Sequence, residues 1–117
     1  MAGVAFPRRG ELYWTSLDPA VGTEMAKTRP AVIISNDVGN QYSRRVIIAP
    51  LTTAGVHRVY RFEVPIATSE GGVPQGSKIA LDQIRVVDKR RLGRRLGALS
   101  PERMLEVDAA IRLSLAV

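Results

Sequence analysis

Few side chains in this chain could do chemistry, and their types already exclude several classes of site. The 117 residues include one histidine and no cysteine, which excludes a thiolate nucleophile, a thiolate metal site and a pair of histidines for acid–base work. The acidic residues show no metal-ligand spacing, and the glycine-rich loops that cradle nucleotides are missing. The candidate functional side chains are therefore those of Arg, Thr, Ser, Glu and Gln, and we predict neither a metal nor a cofactor.

Two positions combine a suitable side chain with a suitable place in the chain. Arg29 follows an irregular, glycine-containing loop and directly precedes Pro30, which favours an extended conformation at the entrance of a strand. Thr52 and Thr53 end an apolar, β-branched run, and sites tend to lie where strands meet loops. A purely structural interpretation stays open for each: an ion pair of Arg29 with Glu24, and threonines that are ordinary strand formers.

The charge of the chain favours a polyanionic partner. The formal net charge is +6, and 14 of the 17 basic residues are arginine, whose planar guanidinium binds phosphate in a bidentate manner. The segment 85–95 is the most basic stretch. Both contact with RNA and a solvated strand edge remain open for it.

The elements that must position these residues are short strands followed by one helix. We predict strands over residues 11–18, 30–35, 45–52, 58–66, 77–81 and 84–88. Residues 36–43 have the composition of a turn, and residues 90–97 form a basic segment punctuated by two glycines. The pattern predicts a mainly β fold, a small bent sheet or partly open barrel with a C-terminal helix packed on it.

The C-terminal helix carries the clearest local signals. Ser100 is a suitable N-cap and Pro101 suits the first helical position. An apolar stripe at helical spacing follows, made of Met104, Val107, Ile111 and Leu115. We expect a single domain over residues 1–117, in which residues 1–9 form a loose N-terminal arm.

Four blocks of sequence resemble one family of proteins. They are Gly10–Trp14, Gly22–Ser35 with its Gly-Thr-Glu and Arg-Pro pairs, Ile48–Thr53 and Leu81–Arg85. In this order and spacing they are similar to the MazF/PemK family of bacterial toxins, the mRNA interferases of type II toxin–antitoxin systems. The resemblance extends from about residue 10 to the C-terminal helix.

The resemblance implies a fold, an activity and partners. The family has a small SH3-like barrel with appended helices and forms homodimers. Its members cut single-stranded RNA at short sequences without a metal, leave a 2′,3′-cyclic phosphate and a 5′-hydroxyl, and are inhibited by a cognate antitoxin. We expect no membrane role, since the longest apolar run is far shorter than the roughly 20 residues of a membrane span, and the cytoplasm is the default compartment.

The resemblance also assigns residues. Arg29 matches the catalytic arginine and Thr52 the catalytic threonine, while Glu24, Gln83 and Ser77 match positions that line the site. The candidate RNA-binding residues are Thr23, Lys27, Thr53, Arg58 and Arg85.

Two other functions remain open from the sequence. One is a CcdB-like toxin that binds DNA gyrase and cuts nothing, and the other is a plain RNA-binding barrel. The loop with Gly-Thr-Glu and Arg-Pro, together with the Pro-x-Thr-Thr block, favours the ribonuclease because neither alternative requires it.

Overall fold

The β-branched apolar runs build one antiparallel sheet. A computed structural model describes residues 5–117 of the chain. The strands are β1 (Glu11–Ser16), β2 (Thr28–Ile33), β3 (Arg45–Thr52), β4 (Glu63–Ile66), β5 (Ser77–Ala80), β6 (Arg85–Asp88) and β7 (Leu92–Ala98). The helices are α1 (Asp37–Tyr42) and α2 (Pro101–Leu115), and short 3₁₀ turns occupy Glu70–Gly72 and Lys89–Arg91.

The long strand β3 organises the sheet. The strand order is β4-β5-β3-β2-β1-β7, and β6 pairs with the first half of β3 while β5 pairs with its last residues. Strands β4 and β7 lie at the two ends of this order, and no ladder joins them within residues 5–117. The predicted mainly β architecture with a C-terminal helix is therefore confirmed, and the barrel is not closed.

Strand β3 is apolar on both faces because the core lies on both sides of it. Ala49 and Leu51 belong to one buried cluster, which also includes Val107 of helix α2. Val46 and Ile48 belong to the second cluster, on the other side of the strand. Burying each large side chain of this kind contributes about 1.5–3 kcal/mol, so the end of β3 is a rigid support.

Helix α2 begins where the sequence predicts. The Ser100 hydroxyl accepts a hydrogen bond from the Arg103 N–H at 3.1 Å, which caps the first turn. Val107 is fully buried, as the predicted stripe requires, but Leu115 is 54% exposed and Ala110 is buried instead. The stripe was wrong at Leu115 because the last turn contacts the sheet through Ser114, whose hydroxyl donates to the Leu81 carbonyl at 2.7 Å.

Two segments differ from the sequence prediction around residues 36–62. The predicted turn at 36–43 is helix α1, because Asn36 caps it by accepting the Gly39 N–H at 2.7 Å. The buried Asn40 amide donates to the Ser35 carbonyl at 2.9 Å and ties the helix to the sheet. The predicted strand 58–66 is extended only from Glu63, and residues 53–62 form a loop.

The glycine-punctuated segment 90–97 is largely strand β7, which the sequence did not predict. It pairs with β1 through two register shifts. A Cβ atom at Gly97 would lie 2.5 Å from the Gly71 carbonyl oxygen, so glycine is needed there for close backbone approach. Such glycines weaken the strand signal in the sequence while allowing the strand to pack.

The predicted N-terminal arm lies partly outside the described residues, which begin at residue 5. Within it, the Arg9 guanidinium donates to Asp108 of helix α2 at 2.7 Å and to the Ile34 carbonyl at 2.9 Å. The Arg9 backbone N–H donates to the Asp37 carboxylate at 2.7 Å. The end of the arm is therefore tied to both helices.

Candidate active site

Arg29 and Thr52 meet at one end of the sheet. Strands β2 and β3 are antiparallel, and Ala31 pairs with Pro50. Two residues further along each strand, the same register places Arg29 opposite Thr52. Arg29 reaches across to β3, since its Nη1 donates to the Leu51 carbonyl at 3.4 Å.

The Arg29 guanidinium is held by backbone carbonyls. Its Nε donates to the Ala26 carbonyl at 3.0 Å, and its Nη1 contacts the Met25 sulfur at 3.8 Å. Glu24 instead accepts the Val21 N–H at 2.6 Å, and among residues 5–117 Arg29 forms no ion pair. The structural interpretation of Arg29 as a partner of Glu24 was therefore wrong, and the charge of Arg29 is not neutralised by a carboxylate of this part of the chain.

The Thr52 hydroxyl is oriented by the turn that follows it. Its Oγ1 accepts the Ala54 N–H at 3.1 Å, which fixes the oxygen and leaves the hydroxyl hydrogen available for donation. Across the sheet, Thr52 pairs with Lys78 of strand β5. A donor in a fixed position beside a fixed guanidinium is the arrangement needed to stabilise developing negative charge on a phosphate.

Two clefts adjoin at this end of β3. The first has a volume of about 260 Å³ and is lined by Trp14, Arg29, Pro30, Leu51, Thr53, Pro74, Gln75 and Ser77. The second has a volume of about 230 Å³ and is lined by Glu24, Met25, Pro50, Asp82, Gln83, Ile84 and Arg85. Arg29 of the first cleft contacts the sulfur of Met25, which lines the second, at 3.8 Å, so a chain-like ligand can contact both clefts.

Most predicted site residues line one of these clefts, whereas Thr52 lines neither and lies between Leu51 and Thr53, which line the first. Thr53 and Ser77 lie in the first with Arg29, and the buried Ser77 hydroxyl donates to the Gln75 carbonyl at 2.9 Å. Glu24, Gln83 and Arg85 line the second. The Gln83 side-chain oxygen accepts the Met25 N–H at 3.4 Å, and Arg85 donates to the Leu17 carbonyl at 3.1 Å.

Three predicted RNA-binding residues lie outside both clefts. Thr23 and Lys27 are exposed on the loop before β2, and Arg58 is exposed on the loop after β3. Lys27 has a φ of 68° and its N–H donates to the Asp18 carboxylate at 2.9 Å, so its backbone is fixed while its side chain is in solvent.

Trp14 and Gln75 belong to the site although the sequence pattern did not indicate them. Both line the first cleft. Trp14 is the one tryptophan of the chain and lies opposite Pro30 in the β1–β2 ladder. The one tryptophan, in a strand predicted to be half-buried, was a sequence signal that could have pointed to Trp14 as a site residue. No feature of the loop around Gln75 pointed to that residue.

The described residues form neither a metal site nor a helix that could cross a membrane. Across residues 5–117, no three His, Asp or Glu side chains gather in a way that could hold a metal ion. In the same part of the chain, no helix is both long and apolar enough to cross a membrane.

The chain is similar to known toxins along most of its length. The family model for the PemK-like, MazF-like toxin of type II toxin–antitoxin systems matches residues 8–115. Endoribonuclease MazF of Staphylococcus epidermidis is 42% identical over 108 residues, which cover 92% of this chain and 90% of that protein.

Solved structures agree with this relationship. An endoribonuclease in complex with its cognate antitoxin, from a mycobacterial species, is 26% identical with a TM-score of 0.78, and the match covers 95% of this chain and 96% of that one. MazF from Deinococcus radiodurans shares the fold, with a TM-score of 0.83 at 24% identity over 97% of this chain and 100% of that one. The chain therefore belongs to the PemK-like, MazF-like toxin family of type II toxin–antitoxin systems.

Proposed function

We propose that this chain is an endoribonuclease toxin that cleaves single-stranded RNA through the RNA's own 2′-hydroxyl, without a metal. The observation that carries the proposal is the Arg29 guanidinium, held by the Ala26 and Leu51 carbonyls at the Thr52 end of strand β3. The 42% identical Endoribonuclease MazF supports the same activity.

The reaction needs three groups from the protein. The 2′-oxygen loses its proton and attacks the adjacent phosphorus, the bond from phosphorus to the 5′-oxygen breaks, and the leaving oxygen takes a proton. The products are a 2′,3′-cyclic phosphate and a 5′-hydroxyl. The protein must accept the first proton, supply the second, and stabilise negative charge on the phosphate oxygens.

Arg29 and Thr52 supply the charge stabilisation. A planar guanidinium donates two parallel hydrogen bonds to two phosphate oxygens, which a lysine ammonium cannot do in the same geometry. The Thr52 hydroxyl donates a further hydrogen bond to the same phosphate. Because a guanidinium stays protonated throughout the physiological pH range, we assign Arg29 to charge stabilisation and Glu24 of the second cleft to proton acceptance. The Glu24 carboxyl, once protonated, returns this proton to the leaving 5′-oxygen through water.

The remaining residues in and around the clefts hold the RNA strand on either side of the scissile phosphate. Gln83, Ser77 and Thr53 offer neutral hydrogen-bonding groups, and Thr23, Lys27, Arg58 and Arg85 add donors and positive charge in and around the clefts. We assign RNA contact to all of them.

The partners follow from the same assignment. We propose that the chain works in the cytoplasm as a homodimer, and that a cognate antitoxin inhibits it by covering the two clefts. A related endoribonuclease is found in complex with its cognate antitoxin. Light scattering should give about twice the 12.8 kDa of one chain, and a species of one chain's mass at micromolar concentration would contradict the dimer.

The decisive experiment uses an RNA with one deoxynucleotide on the 5′ side of the scissile phosphate. The 2′-hydroxyl nucleophile is then missing, so cutting should stop at that bond while binding persists, because the phosphate is unchanged. The all-RNA control should be cut in EDTA and give cyclic phosphate ends. Cleavage of the deoxy substrate, or activity that returns only with added Mg²⁺, would exclude the mechanism.

A further inference from the structure

A buried ion pair lies beside Thr52. Lys78 pairs with Thr52 in the β3–β5 ladder, and residues directly opposite in such a ladder project from the same face. The Lys78 Nζ lies 3.0 Å from the Glu63 Oε1, and each side chain is only 8% exposed. Replacing a buried pair by neutral residues is often harmless to stability, so stability alone does not explain why charges are placed here.

Each member of the pair holds one backbone group of the loop 53–62. The Lys78 ammonium donates to the Arg58 carbonyl at 2.9 Å. The Glu63 carboxylate accepts the Tyr60 N–H at 2.9 Å. The ammonium also lies 5.6 Å from the centre of the Tyr60 ring, so the pair is the anchor of this loop.

The loop passes close over the lysine. Gly55 has a φ of +64°, and a Cβ atom there would lie 3.4 Å from the Lys78 Nζ. A side chain at this position would be strained and would crowd the ammonium. The backbone at Gly55, Arg58 and Tyr60 is therefore arranged around one buried cation.

The same loop presents positive charge next to the reaction centre. It begins directly after Thr52, and the side chains of His57, Arg58 and Arg61 are exposed on it. The carbonyl of Arg58 is fixed by Lys78, while its exposed guanidinium can meet a ligand in solvent. The place of that guanidinium relative to Thr52 thus depends on the buried pair.

We propose that Lys78 and Glu63 are positioning residues for RNA recognition. Their ion pair holds the loop 53–62 so that Arg58 binds a phosphate next to the one that Thr52 contacts. This inference rests on the proposed ribonuclease function. Neither Lys78 nor Glu63 touches the RNA, and both act through Arg58.

The test is the double variant Lys78→Met/Glu63→Gln. It removes one positive and one negative charge, so the net charge that attracts RNA is unchanged. We expect KM for a single-site RNA to rise about tenfold with kcat within about threefold of the wild type, the pattern of lost binding rather than lost chemistry. Hydrogen exchange at the Arg58 amide, which donates to the Gly55 carbonyl at 3.0 Å, should accelerate because the Arg58 carbonyl loses its Lys78 donor, and this reports the loop without reference to activity.

A second arm asks whether the pair acts through Arg58. Arg58→Ala should raise KM by a similar factor in the wild type, and should add little in the double variant, because residues that act as a unit are not additive. The matched control is Arg9→Met/Asp108→Asn, which removes another ion pair, at 2.7 Å between the N-terminal segment and helix α2, with the same net charge. Its KM should stay at the wild-type value.

The outcomes separate this inference from the proposed function. A wild-type chain that cuts no RNA would contradict the function. A wild-type chain that cuts RNA, with an unchanged KM in the double variant or full additivity with Arg58→Ala, would overturn the positioning role alone. If Lys78→Met/Glu63→Gln does not fold, Lys78→Met/Glu63→Leu fills both positions with apolar side chains that need no partner and is judged by the same criteria.

Discussion

The two ends of strand β3 both carry arginine but hold it differently. At the Thr52 end, the half-buried Arg29 donates to carbonyls of two separate segments, Ala26 and Leu51. At the opposite end, the Arg90 side chain is 91% exposed and pairs with Asp88, two residues before it. One guanidinium is fixed by the fold, and the other is bound to its own neighbour in solvent.

The larger concave surface is at the end that lacks the fixed arginine. A cavity of about 480 Å³ there is lined by Ser43, Arg44, Asp88, Lys89 and Arg90, while each cleft at the Thr52 end has about half that volume. Charge and size alone would thus select the end opposite to the one at which we propose catalysis. Catalysis depends on groups that do not have to reorganise in the transition state, and of these two ends the Thr52 end provides them.

The largest effect should come from Arg29→Lys. Lysine keeps the charge but lacks the planar pair of donors, so we expect kcat/KM to fall by about 10³-fold, near the loss for a main transition-state donor. The melting temperature should fall slightly, because a lysine ammonium can replace only part of the hydrogen bonding of Arg29 to the Ala26 and Leu51 carbonyls, so both proteins are assayed where they stay folded. Single-turnover cleavage of a defined RNA measures the effect.

Arg90→Lys is the control for the other end. An exposed arginine that only adds to the general positive field should tolerate this change with no measurable loss of rate. Equal losses in the two variants would mean that the difference between the ends has no functional meaning.

The catalytic candidates could be predicted from the sequence because they are coupled to local signals. Arg29 precedes a proline, and Thr52 ends a β-branched run, so the local pattern alone assigns both to strand boundaries. The β2–β3 register brings the two residues together. Register depends on which strands pair, and the hydrophobic pattern of one strand does not reveal its partner.

Two failed predictions, the strand at residues 58–62 and the missing strand β7, share one physical cause, which is long-range contact. Residues 58–62 alternate like a strand, but the Lys78–Glu63 pair holds them as a loop. Strand β7 contains Gly93 and Gly97, whose missing side chains make room for neighbouring backbone and weaken the strand pattern. Neither contact has a counterpart among the sequence neighbours of these residues.

Thr52→Val should have the second largest effect. Valine keeps the β-branched shape and loses the hydroxyl, so kcat should fall by about 10²–10³-fold with little change in RNA affinity, as for one missing transition-state donor. Thr28→Val, on the exposed start of strand β2, is the matched control and should cut at the wild-type rate. A Thr52→Val variant with unchanged kcat would leave Arg29 as the single donor to the phosphate.

The smallest expected effect is on the free energy of unfolding. The test compares the partly buried ion pair of Arg103 and Glu70 with the exposed pair of Arg90 and Asp88. Glu70 receives two hydrogen bonds from Arg103, at 2.6 and 3.0 Å, and one from the Ala67 N–H at 3.0 Å. The Arg103 hydrogen bond, helped by that N–H, holds the pKa of Glu70 below its ordinary value of 4.5. Asp88 also has a lowered pKa, through its hydrogen bonds from Arg90, but that pair is far more exposed to solvent.

Glu70→Gln should lower the free energy of unfolding by about 1 kcal/mol at pH 7, less than a fully buried charged hydrogen bond because solvent screens part of it. A carboxylate whose pKa is lowered by folding stabilises the protein above its unfolded pKa, and this contribution disappears as the pH falls through the folded pKa. The difference in unfolding free energy between wild type and Glu70→Gln, measured by urea denaturation, should therefore be constant above about pH 5 and become smaller below about pH 4.5.

The control is Asp88→Asn, which should show no measurable difference in unfolding free energy at any of these pH values, since water replaces Arg90 at little cost. If Asp88→Asn lowered the free energy of unfolding as much as Glu70→Gln, solvent exposure would not decide how much an ion pair stabilises this protein. The contrast drawn between the fixed Arg29 and the exposed Arg90 would then be weaker.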